Sequence, residues 1–388
     1  MTHGRAPSAA VLLFALAAAA VLAVSSPGAA PVKGLSHAPL LARAYDLVYD
    51  ADFAGADAAL ARACPPAPAQ ACAVIGVAAR WWRIYFDIDN RGNDAAFMAG
   101  LNATIDRGEQ WAAREPERAE AWFYLGAAYG SRVQYRAQRS EYFAAARDGK
   151  RIKASLEKAI ALDPDLHDAY FGVGLYQYYA DVAPAALKLV RWLLLLPGGD
   201  KAEGMTRMLR ARERGTLLRA EADYQLHLID LWYEHKVDHA LALLGELRTR
   251  YPHNPLFVLN TAQVLDVYKS DRAGALAAYR ALVDGARAGT FREPALAENW
   301  GHLGAAAQLR ALSQPDRALE DAQWVIDHAP AAPYGAIAMA HLEAARAWAA
   351  TGARDKAAAA YRAAIAAAPP DDPRHVRRDA ERGLATLR

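Results

Sequence analysis

The chain has 388 residues, 54% of them apolar and 23% charged, a balance that excludes disorder and allows a large buried core. Lys plus Arg number 45 and Asp plus Glu 43, a formal charge of +2, so no global basic field speaks for nucleic acid. Arg and Ala are both over-used, a bias that suggests a GC-rich bacterial genome.

In chain order, the first feature is an address. His3 and Arg5 precede an apolar stretch, Ala9–Val24, which is followed by Ser25, Ser26, Pro27, Gly28, Ala29 and Ala30. A basic start, a short apolar run and small residues after it make a secretory signal. The run falls short of the about 20 residues that span a bilayer. Residues 1–30 are therefore expected to be a signal peptide, with an uncleaved N-terminal anchor as the alternative. Either one places the protein in the periplasm or cell envelope. Cys64 and Cys72 bracket a Pro-rich turn; in an oxidising compartment a hairpin turn of this kind favours a disulfide between them.

From residue 38 onward the sequence is periodic. Trp122, Leu125, Gly126 and Tyr129 open a unit that Leu156, Ala159 and Pro164 close, and Tyr170, Val173, Gly174 and Gln177 open the next. Tyr224, Leu228 and Leu231 lead to Ala240, Leu244, Leu247 and Pro252. Trp300, Leu303 and Gly304 lead to Ala318, Val325 and Pro330; Ala345, Trp348 and Gly352 lead to Ala357, Tyr361, Ala364 and Pro369. Each unit reads as two short amphipathic helices whose small residues permit close packing and whose proline ends the unit. No stretch alternates like a strand.

These units resemble the tetratricopeptide repeat superfamily, in which a Trp-Leu-Gly-Tyr…Ala…Tyr…Ala…Pro pattern recurs about every 34 residues. The resemblance covers about residues 38–370. It implies an all-α, right-handed α-α superhelical solenoid over residues 31–370, with a capping helix in 371–388. It also implies a concave groove that binds proteins or peptides. Taking Trp122, Tyr170 and Tyr224 as packing positions, the family register turns Phe123, Phe171 and Gln225 toward that groove. Leu175, Tyr178, Ile229 and Trp232 follow on the same faces. The spacing departs from the repeat twice, predicting extra helical segments near 130–142 and 181–199. In the second, Asp181 and Pro184 suit the start of a helix that Pro197, Gly198 and Gly199 end. Asp200 with Glu203 then opens the following helix. The stretch Gly172-Val173-Gly174, Pro184, Leu187–Leu196, Gly199-Asp200 and Gly204 is similar to the tetratricopeptide family associated with inclusion-body and lipid-droplet clearance and to its bacterial relatives.

Clusters with chemical potential are few. Arg132, Arg136 and Arg139 share one helical face and are candidates for docking an anion, against the plainer reading of a solvated face. Leu187–Leu196, with Lys188, Arg191 and Trp192, is either buried core or a peripheral membrane contact. His235 and His239 lie across a turn and are read as solvated rather than metal-binding, with Asp238 capping the second helix. Asp87–Asp94 resembles a calcium loop but fails where Arg91 and Met98 stand, so it is read as a turn with Asn93 as cap. No metal site, cofactor motif or catalytic constellation is present. The sequence reads as an exported, non-enzymatic scaffold binding protein partners at the bacterial cell envelope. A membrane-associated, lipid-handling or inclusion-related protein is the alternative, and an enzyme with an unrecognised site comes third.

Overall fold

The structure, a computed structural model, describes residues 30–183 and 198–387. The expected signal segment, apart from Ala30, and the Leu187–Leu196 stretch lie outside the described residues. Seventeen α-helices follow in order: α1 (Ala38–Tyr49), α2 (Phe53–Ala63), α3 (Ala69–Phe86), α4 (Asp94–Arg114), α5 (Ala119–Gln138), α6 (Tyr142–Leu162), α7 (Ala169–Val182), α8 (Lys201–Arg214), α9 (Arg219–Ile229), α10 (Val237–Arg250), α11 (Pro255–Val267), α12 (Arg272–Arg287), α13 (Pro294–Ala311), α14 (Pro315–His328), α15 (Ala336–Ala350), α16 (Arg354–Ala367) and α17 (Val376–Thr386). Among the described residues there is no strand, only an isolated bridge between Val32 and Arg118.

The helix boundaries follow local chemistry. Asp52, Asp200 and Asp271 each accept a hydrogen bond from the backbone N–H three residues on, and Asn254 from the N–H two residues on, the side-chain capping that satisfies the first free donors of a helix. Pro255, Pro294 and Pro315 sit at the first helical position, where a missing N–H costs nothing. Cys64 and Cys72, at the end of α2 and the start of α3, are joined by a disulfide with a Cα separation of 6.5 Å.

Each helix packs on its neighbour in sequence. Odd-numbered helices are the first members, and even-numbered helices the second members, of eight pairs; α17 covers the last pair. This is the all-α helical-repeat solenoid that the tetratricopeptide resemblance implies. Small residues set the closest approaches. A Cβ on Gly174 would lie 2.6 Å from the carbonyl oxygen of Gly204, and one on Gly204 would lie 2.7 Å from that of Gly174. Backbone meets backbone there, and α7 and α8 can pack so closely only because both positions are glycine.

Two details of the expected insertions differ, and residues 184–197 of the second lie outside the described residues. The residues near 130–142 form no separate segment: they lengthen one pair, giving α5 20 residues and α6 21. Asp181 does not begin a new helix. It lies in the last turn of α7, and its carboxylate accepts from the backbone N–H of Lys201 at 3.0 Å, capping α8 beside Asp200. The α8 start itself is as expected, with Asp200 accepting from the N–H of Glu203.

Candidate functional site

The first helices of the pairs present one face inward, and this face is where a repeat solenoid usually offers a groove. Here the chain fills it. Side chains of α1 and α3 meet those of α9, α11 and α13 across the fold. Trp82 lies with its ring centroid 4.7 Å from Tyr49, 5.1 Å from Tyr224 and 6.5 Å from Phe257. Phe86 lies 5.9 Å from Trp300, and Tyr49 5.5 Å from Tyr251. Aromatic rings dominate such packing because each buries a large area in an edge-on or offset geometry.

A polar hub sits among the rings. Glu221 is buried, and its carboxylate accepts from Tyr49 at 2.5 Å, Tyr45 at 3.1 Å, Gln134 at 2.8 Å and Gln225 at 3.0 Å. Four neutral donors from α1, α5 and α9 thus satisfy one buried anion, and no cation is needed. Burial holds the Tyr45, Tyr49 and Tyr224 hydroxyls well above their ordinary range. Burial likewise pushes His227 down to about 4, so its ring is neutral near pH 7. A hub of neutral phenols and one fully bonded carboxylate offers neither base nor nucleophile; it fixes shape. At the rim, Tyr251 donates to Asp46 at 2.6 Å, His253 pairs with Asp50 at 2.7 Å, and Asn254 donates to the Tyr49 carbonyl at 2.6 Å. Tyr334 donates its backbone N–H to Asp87 at 2.8 Å, and Arg374 donates to Asp89 at 2.6 Å, so the calcium-like turn is an acceptor for the C-terminal pairs. Its Asn93 sits at the start of α4 without a side-chain capping bond.

The expected groove stripe is therefore overturned. Phe123, Phe171, Tyr178 and Ile229 are buried; the last three share one core cluster with Met208, Leu226 and Leu243. Leu175 and Gln225 are half-buried, and Gln225 serves Glu221. Only Trp232 among the seven is exposed, at 48%. The register was one step off in the first two units. Trp122 and Tyr170, taken as packing positions, reach back along the chain to donate to the carbonyls of Pro116 and Pro164, and the next residue along packs inside.

The arginine face is overturned too. Asp148, fully buried, accepts from both Arg132 and Arg136, and Arg132 also reaches Asn102. Arg139 holds Asp94 through two bonds of 2.7 and 2.8 Å and donates to the Ile88 carbonyl at 2.8 Å. These guanidiniums are spent inside the fold, locking the long α5–α6 pair to α4. Sequence spacing placed them on one face but could not show the carboxylates awaiting them.

Apolar side chains stand exposed at the start of α6, where Tyr142 and Phe143 project, and along an edge at the C-terminal ends of α7, α9 and α11. Helix α9 ends in a π-helical turn, Asp230–Glu234, closed by His235 at φ 54°. Trp232 and Tyr233 project from it, and Val267 and Tyr268 project from the end of α11, at 68% and 41% exposure for the latter two. Lys269 pairs with Asp238 at 2.7 Å, tying the two tips together; Asp238 thus lies in the first turn of α10 and binds a lysine rather than capping the helix. His239 pairs instead with Asp230 at 2.5 Å. Tyr178, Tyr179 and Tyr233 pack edge to face at 5.6–6.0 Å. Beside them is a cleft of about 410 Å³ lined by Asp181, Asp200, Lys201, Met205, Glu234 and Lys236, among others. Burial raises the pKa of Glu234, but hydrogen bonds from Lys201 and Tyr178 outweigh it and hold the carboxyl below its ordinary range. Tyr233, Val267 and Tyr268 escaped the sequence reading because aromatic and apolar residues at helical spacing look like core. Among the described residues, no group of three or more His, Cys, Asp or Glu side chains is placed to hold a metal.

No family model and no curated protein matches the chain. Among solved structures, it is similar to the crystal structure of yeast Tom70, at 12% identity with a TM-score of 0.42, over 82% of this chain and 65% of that one. The chain thus spans slightly under two thirds of the length of that protein. It is also similar to human IFIT1, solved as a dimer with PPP-AAAA, at 15% identity and a TM-score of 0.39, over 92% of this chain and 86% of the other. Both likenesses are distant; the fold assignment rests on the succession of helix pairs.

Proposed function

We propose that this protein is a non-enzymatic helical-repeat scaffold whose protein partner docks on the outer edge formed by α7, α9 and α11, not in the inner face. The carrying observation is the pair of opposites just described: the inner face is filled by α1 and α3, while Trp232 and Tyr233 stand exposed at the end of α9 and Val267 and Tyr268 at the end of α11. Trp and Tyr anchors at a rim of paired charges are the composition of protein-binding hot spots. Export to a bacterial cell envelope belongs to the same proposal, resting on the signal-like residues 1–30 and agreeing with a disulfide at Cys64–Cys72. The test is crosslinking and recovery of partners from envelope extracts. A discrete partner should be recovered with the wild type and lost with Trp232→Ala/Tyr268→Ala; a partner retained by that variant contradicts the edge.

A second reading has one observation behind it. The apolar stretch Leu187–Leu196 falls between α7 and α8 in the sequence, and its Trp192, Lys188 and Arg191 suit a membrane interface. No helix among the described residues is long and apolar enough to cross a membrane. Flotation with liposomes separates the readings: cosedimentation abolished by Leu194→Asp, without loss of fold, favours the membrane.

A further inference from the structure

The arginines that sequence spacing brought together are consumed by carboxylates, but another set is only partly so. On α3, Gly76, Arg80 and Arg83 follow at i, i+4 and i+7; on the adjoining α4, Gly100, Thr104 and Arg107 repeat that spacing. Residues so spaced share a helix face, and the two faces abut. A Cβ built on Gly76 would lie 3.9 Å from one terminal nitrogen of Arg80, and one built on Gly100 would lie 3.8 Å from the other. The Arg80 guanidinium therefore spans from α3 to α4 across two positions that carry no side chain.

Arg80 makes no hydrogen bond or ion pair with another described residue. Arg83 donates to Asp57 at 2.8 Å, and Arg107 makes only a long contact of 3.5 Å to the Thr104 hydroxyl, which itself donates to the Gly100 carbonyl at 2.9 Å. Arg80 lies within electrostatic reach of Arg83 and Arg107, with Asp57 as the opposing carboxylate. Glu293 also lies within electrostatic reach of Arg83, so three guanidiniums against two carboxylates leave an excess of one positive charge, borne at the Arg80–Arg107 side. Burial first, and then the two neighbouring arginines, lower the pKa of Arg80 against the pull of Asp57. Like charges held together in this way repel unless an anion joins them, and a guanidinium fork presents paired N–H donors matched to a tetrahedral oxyanion.

We propose that Arg80 and Arg107, with Arg83 at the margin, form a binding site for a phosphate group on the outer surface of the α3–α4 pair. Arg80 donates from its two terminal nitrogens and Arg107 closes from the opposite helix. The bound group is either free phosphate or the phosphomonoester headgroup of a lipid, since both present the same tetrahedral set of charged terminal oxygens. This site is independent of the aromatic edge and of the partner assigned to it.

Calorimetric titration of the full chain with inorganic phosphate, and flotation with vesicles of phosphatidylcholine with and without phosphatidic acid, test the proposal. Saturable binding of inorganic phosphate identifies the free ion. Flotation only with phosphatidic acid, without phosphate binding, identifies the lipid headgroup. In either case Arg80→Gln and Arg107→Gln should each weaken binding at least about ten-fold, the loss expected for a charge-assisted hydrogen bond. Arg354→Gln, at an exposed position remote from the site, should leave binding unchanged, and unchanged helical circular dichroism shows that the variants fold. Absence of binding in both arms, or equal binding by the wild type and both site variants, overturns the proposal.

Discussion

The two ends of the solenoid are built differently. The N-terminal helices α1 and α3 touch partners some 140 to 215 residues away: Trp82 with Tyr224, Tyr49 with Tyr251, Phe86 with Trp300. Helices α15–α17 have a small core of their own, in which Ala338, Ala345, Ala357, Ala364 and Ala380 surround Leu342, Tyr361 and Val376. A repeat array that touches only its sequence neighbours is nearly one-dimensional and frays from its ends. The C-terminal pairs approach that limit, tied back to the N-terminal half by polar contacts such as Tyr334 to Asp87 and Arg374 to Asp89. The N-terminal half departs from it. Large rings that close the array across its inner face convert a row of modules into a cooperative block, and they do so by consuming the surface a solenoid would otherwise present to a ligand.

The largest expected effect comes from breaking that closure. Trp82→Ala removes a ring that touches α1, α9 and α11 and should cost about 3–5 kcal/mol in urea unfolding. Stability should also fall with pH through His227, also on the inner side. Its ring binds a proton only near pH 4 in the folded protein and near 6.5 when unfolded. The stability it contributes is therefore complete above about pH 6.5 and is lost as pH falls toward 4. From the size of the shift the loss approaches about 3 kcal/mol, and His227→Leu should be less acid-sensitive than the wild type by that amount. At the other end, Leu342→Ala opens a cavity among alanines and should cost about 2–3 kcal/mol. Hydrogen exchange should show that loss confined to α15–α17. Trp232→Ala and Tyr268→Ala, on the exposed edge, should change stability by less than about 0.5 kcal/mol while removing partner binding. A large thermal shift in those variants would move the edge into the core.

The succession of helix pairs was legible in the sequence because proline, glycine and small residues mark each unit locally. Closure was not. Trp82, Tyr85 and Phe86 were readable as apolar at helical spacing, yet nothing local says that their partners lie in α9, α11 and α13. The same gap misplaced the site. Phe123 and Phe171 fell on the inner side of a register set by Trp122 and Tyr170, whose hydrogen bonds to Pro116 and Pro164 turn them toward the rim. Arg132, Arg136 and Arg139 looked free because Asp94 and Asp148 are distant in the pattern but adjacent in space. Trp232 was found, whereas Tyr233, Val267 and Tyr268 were not, because the π turn and the end of α11 expose residues that an uninterrupted helix would bury.

Native-state hydrogen exchange as a function of denaturant tests the closure most directly. Slowly exchanging amides of α1, α3, α9 and α11 should open together, in one step with a shared free energy, while α15–α17 open earlier. Separate opening of α1 and α3 at low denaturant, with α9 and α11 still protected, would contradict the closed inner face and return that surface to the list of binding grooves.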